Sequence, residues 1–393
     1  MRILHLTNKP IFPLVDGGCK AMFQTINAIN KNGNEVKHIC FSTHKHPFKK
    51  AAYPKLLASQ VKVENINLNT KINFIKAGLN LLLNISYNYI RFYSKKADEI
   101  IRDHLKQNKY DVIIFDSLYV CPYIDSIRNY SNARLIYRAH NVENRIWQRL
   151  SLETNNIIKR LYLNILSKQL KKVENDVLKK VDRIWSISPI DADYFKKHNQ
   201  SVSTVPLSFE ISSHKVDYNK EDLFFMGAYN WKPNLDAVVW LANILLPRLH
   251  KKDPSVVLNI AGSYSEKLMS RIKYKSNIVF HGFVDDSNIF MTESGLFVMP
   301  IKTGSGVRVK AIEAMSLGVP ILASKMALEG IDNDLNVYTA VSIDDWVELI
   351  FNYRKDKNKR EEMGKYLKSY IQEHFDYKKI ENNIHQELLL SEA

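Results

Sequence analysis

The feature of the sequence that most constrains its fold is an alternation of short apolar runs with segments of helical periodicity. The chain opens on the apolar run Arg2–Thr7, and a segment over Gly18–Lys31 follows with apolar residues at every third or fourth position. The next apolar run is Val36–Phe41. Single strands separated by helices are typical of a parallel, doubly wound sheet. The pattern therefore predicts an α/β chain.

The alternation begins again after Thr204–Glu210, a proline-containing segment where we place the link between two domains. A chain of 393 residues is long enough for two domains that each bury a core. In the first domain, further strands are predicted at Val112–Phe115, Leu135–Tyr137 and Arg183–Ile187. In the second, strands are predicted at Leu223–Met226, Val256–Ala261, Ile278–His281, Leu296–Met299, Pro320–Ala323 and Val337–Val341, with helices at Asn234–Leu246, Val307–Leu317 and Asp344–Asn352. We expect two Rossmann-like domains.

Positive charge is concentrated in the first half of the chain. Residues 1–200 hold 33 Lys and Arg against 16 Asp and Glu, a net charge of +17, whereas residues 201–393 hold 23 against 25, a net charge of −2. A basic half predicts an anionic partner, either nucleic acid or a phospholipid surface. Because no nucleic-acid-binding module is recognisable, we expect no nucleic acid partner.

The segment Pro300–Gly318 combines the end of a predicted strand, two glycines and the start of a helix. Free backbone N–H groups at a helix start, at the carboxyl edge of a parallel sheet, are typical of phosphate sites. Arg308 and Lys310 would add positive charge there, and Glu313 could accept hydrogen bonds from sugar hydroxyls. The segment predicts a site for a phosphate-bearing ligand. The alternative is a tight strand-to-helix turn with basic residues on its surface.

The same segment, GSGVRVKAIEAMSLGVPI, resembles the donor-binding segment of retaining GT-B glycosyltransferases of the family-4 type. Further segments resemble this family in the expected order: PIFPLVDGG, YRAHNVENRIW, FFMGAYNWKPNLDAVVWLANILLPRL, LNIAGSY and VFHGFVDD. The resemblance implies a GT-B fold, in which two Rossmann-like domains have parallel sheets facing a central cleft. Residues 1–205 would form the acceptor-side domain and residues 206–375 the donor-side domain. A last helix at about 377–390 would cross back to the first domain.

The resemblance also implies roles for individual residues. A nucleotide diphosphate sugar would be bound by Gly17, Gly18, Gly227, Gly262, Phe283, Gly304, Ser305, Gly306, Val307 and Glu313. Catalytic residues would be His140, which matches a histidine that contacts the donor sugar, and the cations Lys232, Arg308 and Lys310. These cations would stabilise the departing diphosphate, so neither a metal nor another cofactor is expected.

Two positions depart from the family pattern. Ser305 stands where a glutamate commonly contacts the donor sugar, and Ala228 stands where an arginine follows the glycine of the first loop. The resemblance to the family therefore does not imply which sugar the donor carries. Asp16, Asp116 and Glu143 are candidate partners for an acceptor hydroxyl.

We therefore expect an enzyme that transfers a sugar from a nucleotide diphosphate sugar to a glycan, with retention of anomeric configuration. The acceptor would be a lipid-linked precursor of a bacterial surface polysaccharide, and a protein acceptor is an alternative. Two other functions stay open: a non-hydrolysing sugar-nucleotide epimerase of the same architecture, and a non-catalytic protein that binds nucleotides or glycans.

The basic segment Lys71–Lys109 suggests a membrane partner. A helical register through it places one set of apolar residues roughly on one side, namely Phe74, Leu81, Ile85, Tyr89 and Phe92. Such a side could lie on an anionic bilayer, the alternative being a pair of core-facing helices. No apolar run approaches the ~20 residues of a spanning helix, the start of the chain has no signal-peptide pattern, and the three cysteines are far apart. We expect a cytoplasmic protein with peripheral contact to the inner face of the plasma membrane.

Overall fold

The computed structural model describes residues 1–263, 265–304, 306–331 and 338–390. The chain divides into two compact units. The first unit comprises residues 1–208 together with the residues from 378 onward, and the second unit comprises residues 209–377.

The first unit is built on a parallel sheet. Its strands are Arg2–Thr7 (β1), Glu35–Ser42 (β2), Lys62–Asn67 (β3), Val112–Asp116 (β4), Arg134–Ala139 (β5), Arg183–Ser186 (β6) and Val202–Thr204 (β7), in the order β3-β2-β1-β4-β5-β6-β7. Its helices up to residue 208 are Gly17–Lys31 (α1), Lys55–Gln60 (α2), Phe74–Leu82 (α3), Tyr87–Ile90 (α4), Lys95–Gln107 (α5), Ile124–Tyr130 (α6), Glu143–Glu153 (α7), Ile157–Lys180 (α8) and Pro189–Phe195 (α9).

The second unit repeats this plan. Its described strands are Leu223–Met226 (β8), Leu258–Ala261 (β9), Ile278–Gly282 (β10), Leu296–Met299 (β11), Ile321–Ala323 (β12) and Tyr338–Thr339 (β13), in the order β10-β9-β8-β11-β12-β13. Its helices are Lys232–Trp240 (α10), Leu246–His250 (α11), Ser265–Met269 (α12), Ser287–Glu293 (α13), Val309–Leu317 (α14), Ile343–Lys355 (α15) and Lys357–His374 (α16). The final helix, Tyr377–Leu389 (α17), packs on the first unit through Ile380, Ile384 and Leu388.

Both sheets confirm the predicted α/β class, because the pairs between described strands are parallel in each of them. Each strand order reverses beside the first strand of its unit, so each sheet has one switch point, between β1 and β4 and between β8 and β11. Loops at the carboxyl ends of these strands are where doubly wound sheets bind ligands.

The helix predicted over Asn234–Leu246 is interrupted. After α10, residues Leu241–Leu245 form a turn of π-helix, and α11 then begins with Pro247 as its second residue. Proline has no N–H to donate to the preceding turn, which favours a local change of hydrogen-bond pattern. The predicted strand at Val337–Val341 begins outside the described residues and continues as β13.

The single helical register predicted for Lys71–Lys109 is wrong. The segment folds as three helices, α3, α4 and α5, and Asn84 has a left-handed φ of +55° between the first two. Phe92 is buried in the core and Tyr89 packs against it. Ile85 is exposed, so the predicted apolar side is divided between the core and the surface.

Candidate functional site

In the second unit, the loops after β8 and β11 lie at the switch point of the sheet. These two strands pair directly, with Phe297 opposite Phe224. Of the described residues predicted to bind a donor, Gly227, Gly304, Gly306 and Val307 lie in these two loops. The position is the one expected for a nucleotide in a doubly wound sheet.

The two loops are joined by Arg308, the N-cap residue of α14. Its buried guanidinium donates from Nη1 to the carbonyl oxygen of Gly306 at 3.0 Å and from Nη2 to that of Thr303 at 3.3 Å. The same group lies 5.0 Å from the ring centre of Trp231, in the loop after β8. Gly304 has a φ of +102°, and a Cβ there would lie 3.0 Å from Nη2 of Arg308 and 3.1 Å from Trp231. Arg308 therefore shapes the loop in which the sequence predicted a phosphate contact.

Glu313 and Lys310 meet on the first turns of α14. The ammonium Nζ of Lys310 lies 2.7 Å from Oε2 of Glu313, and the Glu313 side chain is almost fully buried while that of Lys310 is about one-third exposed. A buried carboxylate beside a lysine can accept charge-assisted hydrogen bonds from ligand hydroxyls.

The loop after β8 approaches the end of β9 too closely for any side chain between them. Gly262 has a φ of +136°, and a Cβ at this residue would lie 1.8 Å from the carbonyl oxygen of Gly227. Lys232 is the first residue of α10, and its ammonium Nζ lies 2.5 Å from Oδ2 of Asp236. This lysine side chain is more than half exposed, so it is accessible to an anion.

Three further predicted residues have different surroundings. Phe283 follows β10 and is 75% exposed. Val307 packs partly against the core of the second unit. Ser305 lies outside the described residues.

In the first unit, Gly17 and Gly18 are the first two residues of α1, at the carboxyl end of β1. The N-cap residue Asp16 accepts a hydrogen bond from the backbone N–H of Cys19 at 2.8 Å, and Nζ of Lys9 lies 2.7 and 2.6 Å from its two carboxylate oxygens. Burial opposes ionisation of Asp16, but Lys9 and the Cys19 amide together lower the pKa of this carboxyl. The carboxylate is thus engaged within the loop.

His140 follows β5, and its Nε2 lies 2.5 Å from Oδ1 of Asp116, the last residue of β4. Oδ2 of Asp116 lies 2.9 Å from Nε2 of His5, in β1. Burial of Asp116 on its own would raise the pKa of this carboxyl, but His140 and His5 hold it well below its usual range. The side chains of Asp116 and His5 are fully buried, and that of His140 is 13% exposed. Asp116 therefore orients His140. The sequence had suggested a different role for Asp116, as the partner of an acceptor hydroxyl.

His5 was missed by sequence reasoning, although its signal is present. It is a histidine between two leucines in the buried strand RILHLT, and it lies opposite His38 of β2. The two rings are 5.1 Å apart, and Nδ1 of His38 lies 3.3 Å from the carbonyl oxygen of His5. Burial and the neighbouring His5 place the pKa of His38 well below its usual value. His38, His5 and Asp116 thus form a row of buried polar side chains on three neighbouring strands, and Asp116 at its end contacts His140.

A second buried carboxyl, Glu174 of α8, caps α7, the helix that follows His140. Glu174 accepts hydrogen bonds from the backbone N–H groups of Glu143 at 2.9 Å and Asn144 at 3.4 Å, and from the side-chain amide of Asn144. Oη of Tyr119 donates to Oε2 of Glu143 at 2.9 Å, so the third candidate for an acceptor hydroxyl is also engaged. Burial is the main cause that raises the pKa of Glu174 to about 7.

This shift predicts a pH dependence of stability. An unfolded glutamate titrates near about 4.3, so between that value and the folded pKa of about 7 the folded state binds more protons than the unfolded state. Raising the pH through this interval should therefore lower the free energy of unfolding, by about 4 kcal/mol in all, with no further loss at higher pH. Glu174→Gln should remove this pH-dependent fall in the free energy of unfolding. The variant should gain stability relative to the wild type between about pH 5 and pH 8 in urea unfolding.

The matched control is Glu99→Gln, at an exposed glutamate of the same unit. Its free energy of unfolding relative to the wild type should not change with pH in this way. If the free energy of unfolding of Glu174→Gln changed between about pH 5 and pH 8 as much as that of the wild type, the raised pKa of Glu174 would be contradicted.

Comparison with known proteins points to one enzyme class. Residues 220–351 match the family model of the group 1 glycosyl transferases. An uncharacterized 44.6 kDa protein in the cps region of Klebsiella pneumoniae is 22% identical over 98% of this chain and 99% of its own length.

Similar solved structures cover the whole chain. The crystal structure of Anabaena HepE in complex with UDP and glucose has a TM-score of 0.64 at 14% identity, covering 99% of both chains. Sucrose-phosphate synthase from Thermosynechococcus elongatus has a TM-score of 0.69 at 14% identity, covering 100% of both chains. The chain therefore has the GT-B fold of these glycosyltransferases, and its second unit carries the segment that the group 1 family model matches.

Proposed function

We propose that this protein is a glycosyltransferase that takes a sugar from a nucleotide diphosphate sugar and transfers it to a glycan acceptor with retention of configuration. The observation that carries the proposal is the arrangement at the switch point of the second unit. There the buried carboxylate of Glu313 lies one turn into α14 and 2.7 Å from the ammonium of Lys310, which is in the first turn. This arrangement suits a ribose next to a diphosphate. The family model matched by residues 220–351 and the UDP bound to Anabaena HepE support it.

Cleavage of the bond between sugar and diphosphate places negative charge on the leaving group. Lys232 and Lys310 are the predicted cations whose ammonium groups are partly exposed, and we assign them to this charge. Arg308 shapes the loop through its bonds to two carbonyl groups. In a retaining reaction on the donor face, the acceptor hydroxyl would give its proton to the departing phosphate. Fixed lysines would then serve in place of a metal ion, so the proposed reaction needs no metal.

The donor site is tested by binding of UDP, the nucleotide found in the HepE complex. Glu313→Ala should weaken UDP binding by 1–3 kcal/mol, or about 5- to 150-fold, because a charged acceptor for the ribose hydroxyls is lost. Lys310→Ala should mainly lower the rate of sugar transfer. The matched control is Glu348→Ala, at an exposed glutamate of α15. Unchanged UDP affinity in Glu313→Ala would place the nucleotide elsewhere.

The same assay separates the alternatives. Transfer should persist in EDTA, and loss that Mn²⁺ restores would contradict the metal-independent reaction. Conversion of the donor to its epimer without an acceptor would support the epimerase. Tight nucleotide binding with no transfer and no donor hydrolysis would support the non-catalytic binding protein.

We also propose a lipid-linked acceptor and peripheral contact with an anionic membrane. In α3 and its flanks, five large aliphatic side chains are exposed, namely Ile72, Ile75, Leu79, Leu82 and Leu83. At the start of α8, Ile157, Ile158 and Leu161 are exposed as well. The two helices are joined where the side-chain amide of Gln169 donates to the carbonyl oxygen of Leu81 at 3.3 Å. The described part of the chain contains no helix that is both long and apolar enough to cross a membrane.

Charge around these exposed residues is of one sign. Residues 65–97 contain five Lys and Arg and no Asp or Glu, and the same is true of residues 154–173. Exposed aliphatic groups among unopposed cations are typical of segments that lie on anionic lipid. The Klebsiella relative in a cps region is in keeping with a role in polysaccharide biosynthesis.

Vesicle sedimentation tests the membrane contact. Changing Lys76, Lys159 and Arg160 to Gln together should weaken binding to phosphatidylglycerol vesicles on the order of 100-fold at low salt, since each cation near the surface contributes about 1 kcal/mol. Changing Lys251, Lys273 and Lys275 to Gln removes the same charge from exposed lysines of the second unit and should have little effect. Equal losses in both variants would show that net charge alone drives binding and would contradict the proposed surface.

A further inference from the structure

A cavity of about 650 Å³ opens at the carboxyl ends of β2 and β3, in the first unit. Its walls are residues 42–48 after β2 and residues 65–71 around the end of β3. The volume lies within the range of about 300–1,000 Å³ that is usual for small-molecule sites. Neither the predicted donor-binding residues nor the exposed aliphatic residues of α3 and α8 line it.

The surroundings of this cavity are strongly positive. Residues 36–97 contain eleven Lys and Arg and a single acidic residue, Glu64. The carboxylate of Glu64 is neutralised within the fold, because Nζ of Lys37 and Nε2 of His104 each lie 2.6 Å from its Oε2. None of the described residues that line the cavity carries a carboxylate. An anion is therefore the ligand that this field favours.

The polar side chains that line the cavity are of the types that hydrogen-bond to ligands with many hydroxyl groups. The side chains of His44, Asn67 and Lys71 line the cavity and make no hydrogen bond or ion pair with any described residue. Asn65 and Thr43 add an amide and a hydroxyl. Such groups offer both donors and acceptors to sugar hydroxyls, and a lysine ammonium suits a phosphate.

An apolar wall completes the cavity. The ring of Phe48 lies in the lining and is held 5.4 Å from the ring of Tyr53. The turn that carries this wall is closed by two backbone hydrogen bonds of 3.1 Å between Thr43 and His46. Small-molecule sites combine such an apolar surface with a few placed polar groups.

The cavity is close to the loop that precedes α1. His46 belongs to the turn that forms one wall, and burial followed by the charge of Lys9 lowers the pKa of this histidine. Lys9 is the residue that pairs with Asp16, immediately before Gly17 and Gly18. Because β1 and β2 pair in parallel, the loops that follow them lie at the same edge of the sheet, so the cavity wall and this glycine loop are neighbours within the first unit.

We propose that this cavity binds a phosphorylated sugar, with the phosphate at Lys71 and His44 and the sugar hydroxyls at Asn65 and Asn67. The ligand would be the phosphate-bearing part of the acceptor, an identification that rests on the proposed transferase function. Two sources share this chemistry: a soluble sugar phosphate and a sugar phosphate carried on a lipid.

The test is equilibrium binding of glucose 1-phosphate, galactose 1-phosphate, mannose 1-phosphate and inorganic phosphate to the full chain. At least one sugar phosphate should bind more tightly than inorganic phosphate. Lys71→Gln should weaken that binding about 10- to 150-fold, as expected for the loss of one charge-assisted hydrogen bond, and Asn67→Ala should weaken it as well. The matched control is Lys55→Gln, an exposed lysine of α2 that does not line the cavity. UDP affinity should stay unchanged in all these variants.

The lipid-borne source is tested with phosphatidylinositol vesicles, which present a polyol on a phosphate, against phosphatidylglycerol vesicles of equal charge. A preference for phosphatidylinositol that Lys71→Gln and Asn67→Ala abolish supports the lipid-borne form, and soluble binding without that preference supports the free form. The proposal is overturned if no probe binds, or if the two variants match Lys55→Gln throughout. Sugar phosphate binding in a protein that transfers no sugar would contradict the transferase and leave this cavity assignment intact.

Discussion

His140→Ala is expected to lower kcat for sugar transfer by about 10²- to 10³-fold, the effect of removing one fixed polar group from a reacting centre. The ring is held by Asp116, whose carboxylate is itself fixed by His5. Such an arrangement sets both the orientation and the tautomer of an imidazole. UDP binding, which we assign to the second unit, should change little.

The comparison variants make this expectation specific. Asp116→Asn should lower kcat in the same direction, and the double variant should lose little more than His140→Ala alone, because both changes act through one ring. His385→Ala is the control, a histidine of α17 outside this cluster. A kcat for His140→Ala within about threefold of the wild type would remove His140 from the reaction.

Gly262→Ala is expected to destabilise the second unit by about 3–5 kcal/mol, which combines a forced contact with a strained backbone. The added Cβ would lie 1.8 Å from the carbonyl oxygen of Gly227, and a φ of +136° disfavours any L side chain. Relief would require the loop after β8 to move away from the end of β9. UDP affinity should therefore fall together with stability.

Urea unfolding followed by tryptophan fluorescence measures the effect, since Trp231, Trp240 and Trp346 belong to the second unit. Gly78→Ala is the matched control, because a Cβ at this residue of α3 meets nothing within 4 Å. Alanine there should be neutral or stabilising by up to about 1 kcal/mol. Equal stability of the two variants would show that the close approach of Gly227 and Gly262 is relieved at little cost.

In the first sheet the central strands were predictable from the sequence and the two edge strands were not, whereas in the second sheet the edge strands β10 and β13 were both predicted. β1 and β4 are buried almost throughout, and each contains consecutive apolar residues, Ile3 and Leu4 in β1 and Val112–Phe115 in β4. β3 and β7 lie at the two edges of the first sheet, and their sequences, KVENIN and VST, are mostly polar and only partly buried. An edge strand covers less of the core and needs fewer apolar residues, which weakens its pattern.

The candidate site divides in a similar way. Gly17, Gly18, Gly304 and Gly306 belong to local patterns, so the sequence alone suggested them as donor-binding residues, which stays a prediction. The contact of His5 with Asp116 and that of Glu174 with the start of α7 join residues 111 and 30 or more positions apart. Arg308 shows the same limit, because its charge suggested a phosphate contact while its bonds to Gly306 and Thr303 depend on the folded loop. Contacts between residues that are distant in the sequence produce no local pattern, so they could not be predicted from the sequence.

The return of α17 to the first unit has a consequence for synthesis on the ribosome. Arg183 pairs with Glu387, with Nη2 lying 3.0 Å from Oε1, and Nε1 of Trp185 donates to the same carboxylate at 3.2 Å. The first unit is thus begun first and completed last, whereas the second unit is a continuous segment that emerges whole before α17 does. Until α17 arrives, the sheet face that holds Ile3, Ile136 and Trp185 lacks part of its cover. Premature termination directly after residue 377 would leave a chain whose second unit is intact and whose first unit is open to chaperones and proteases.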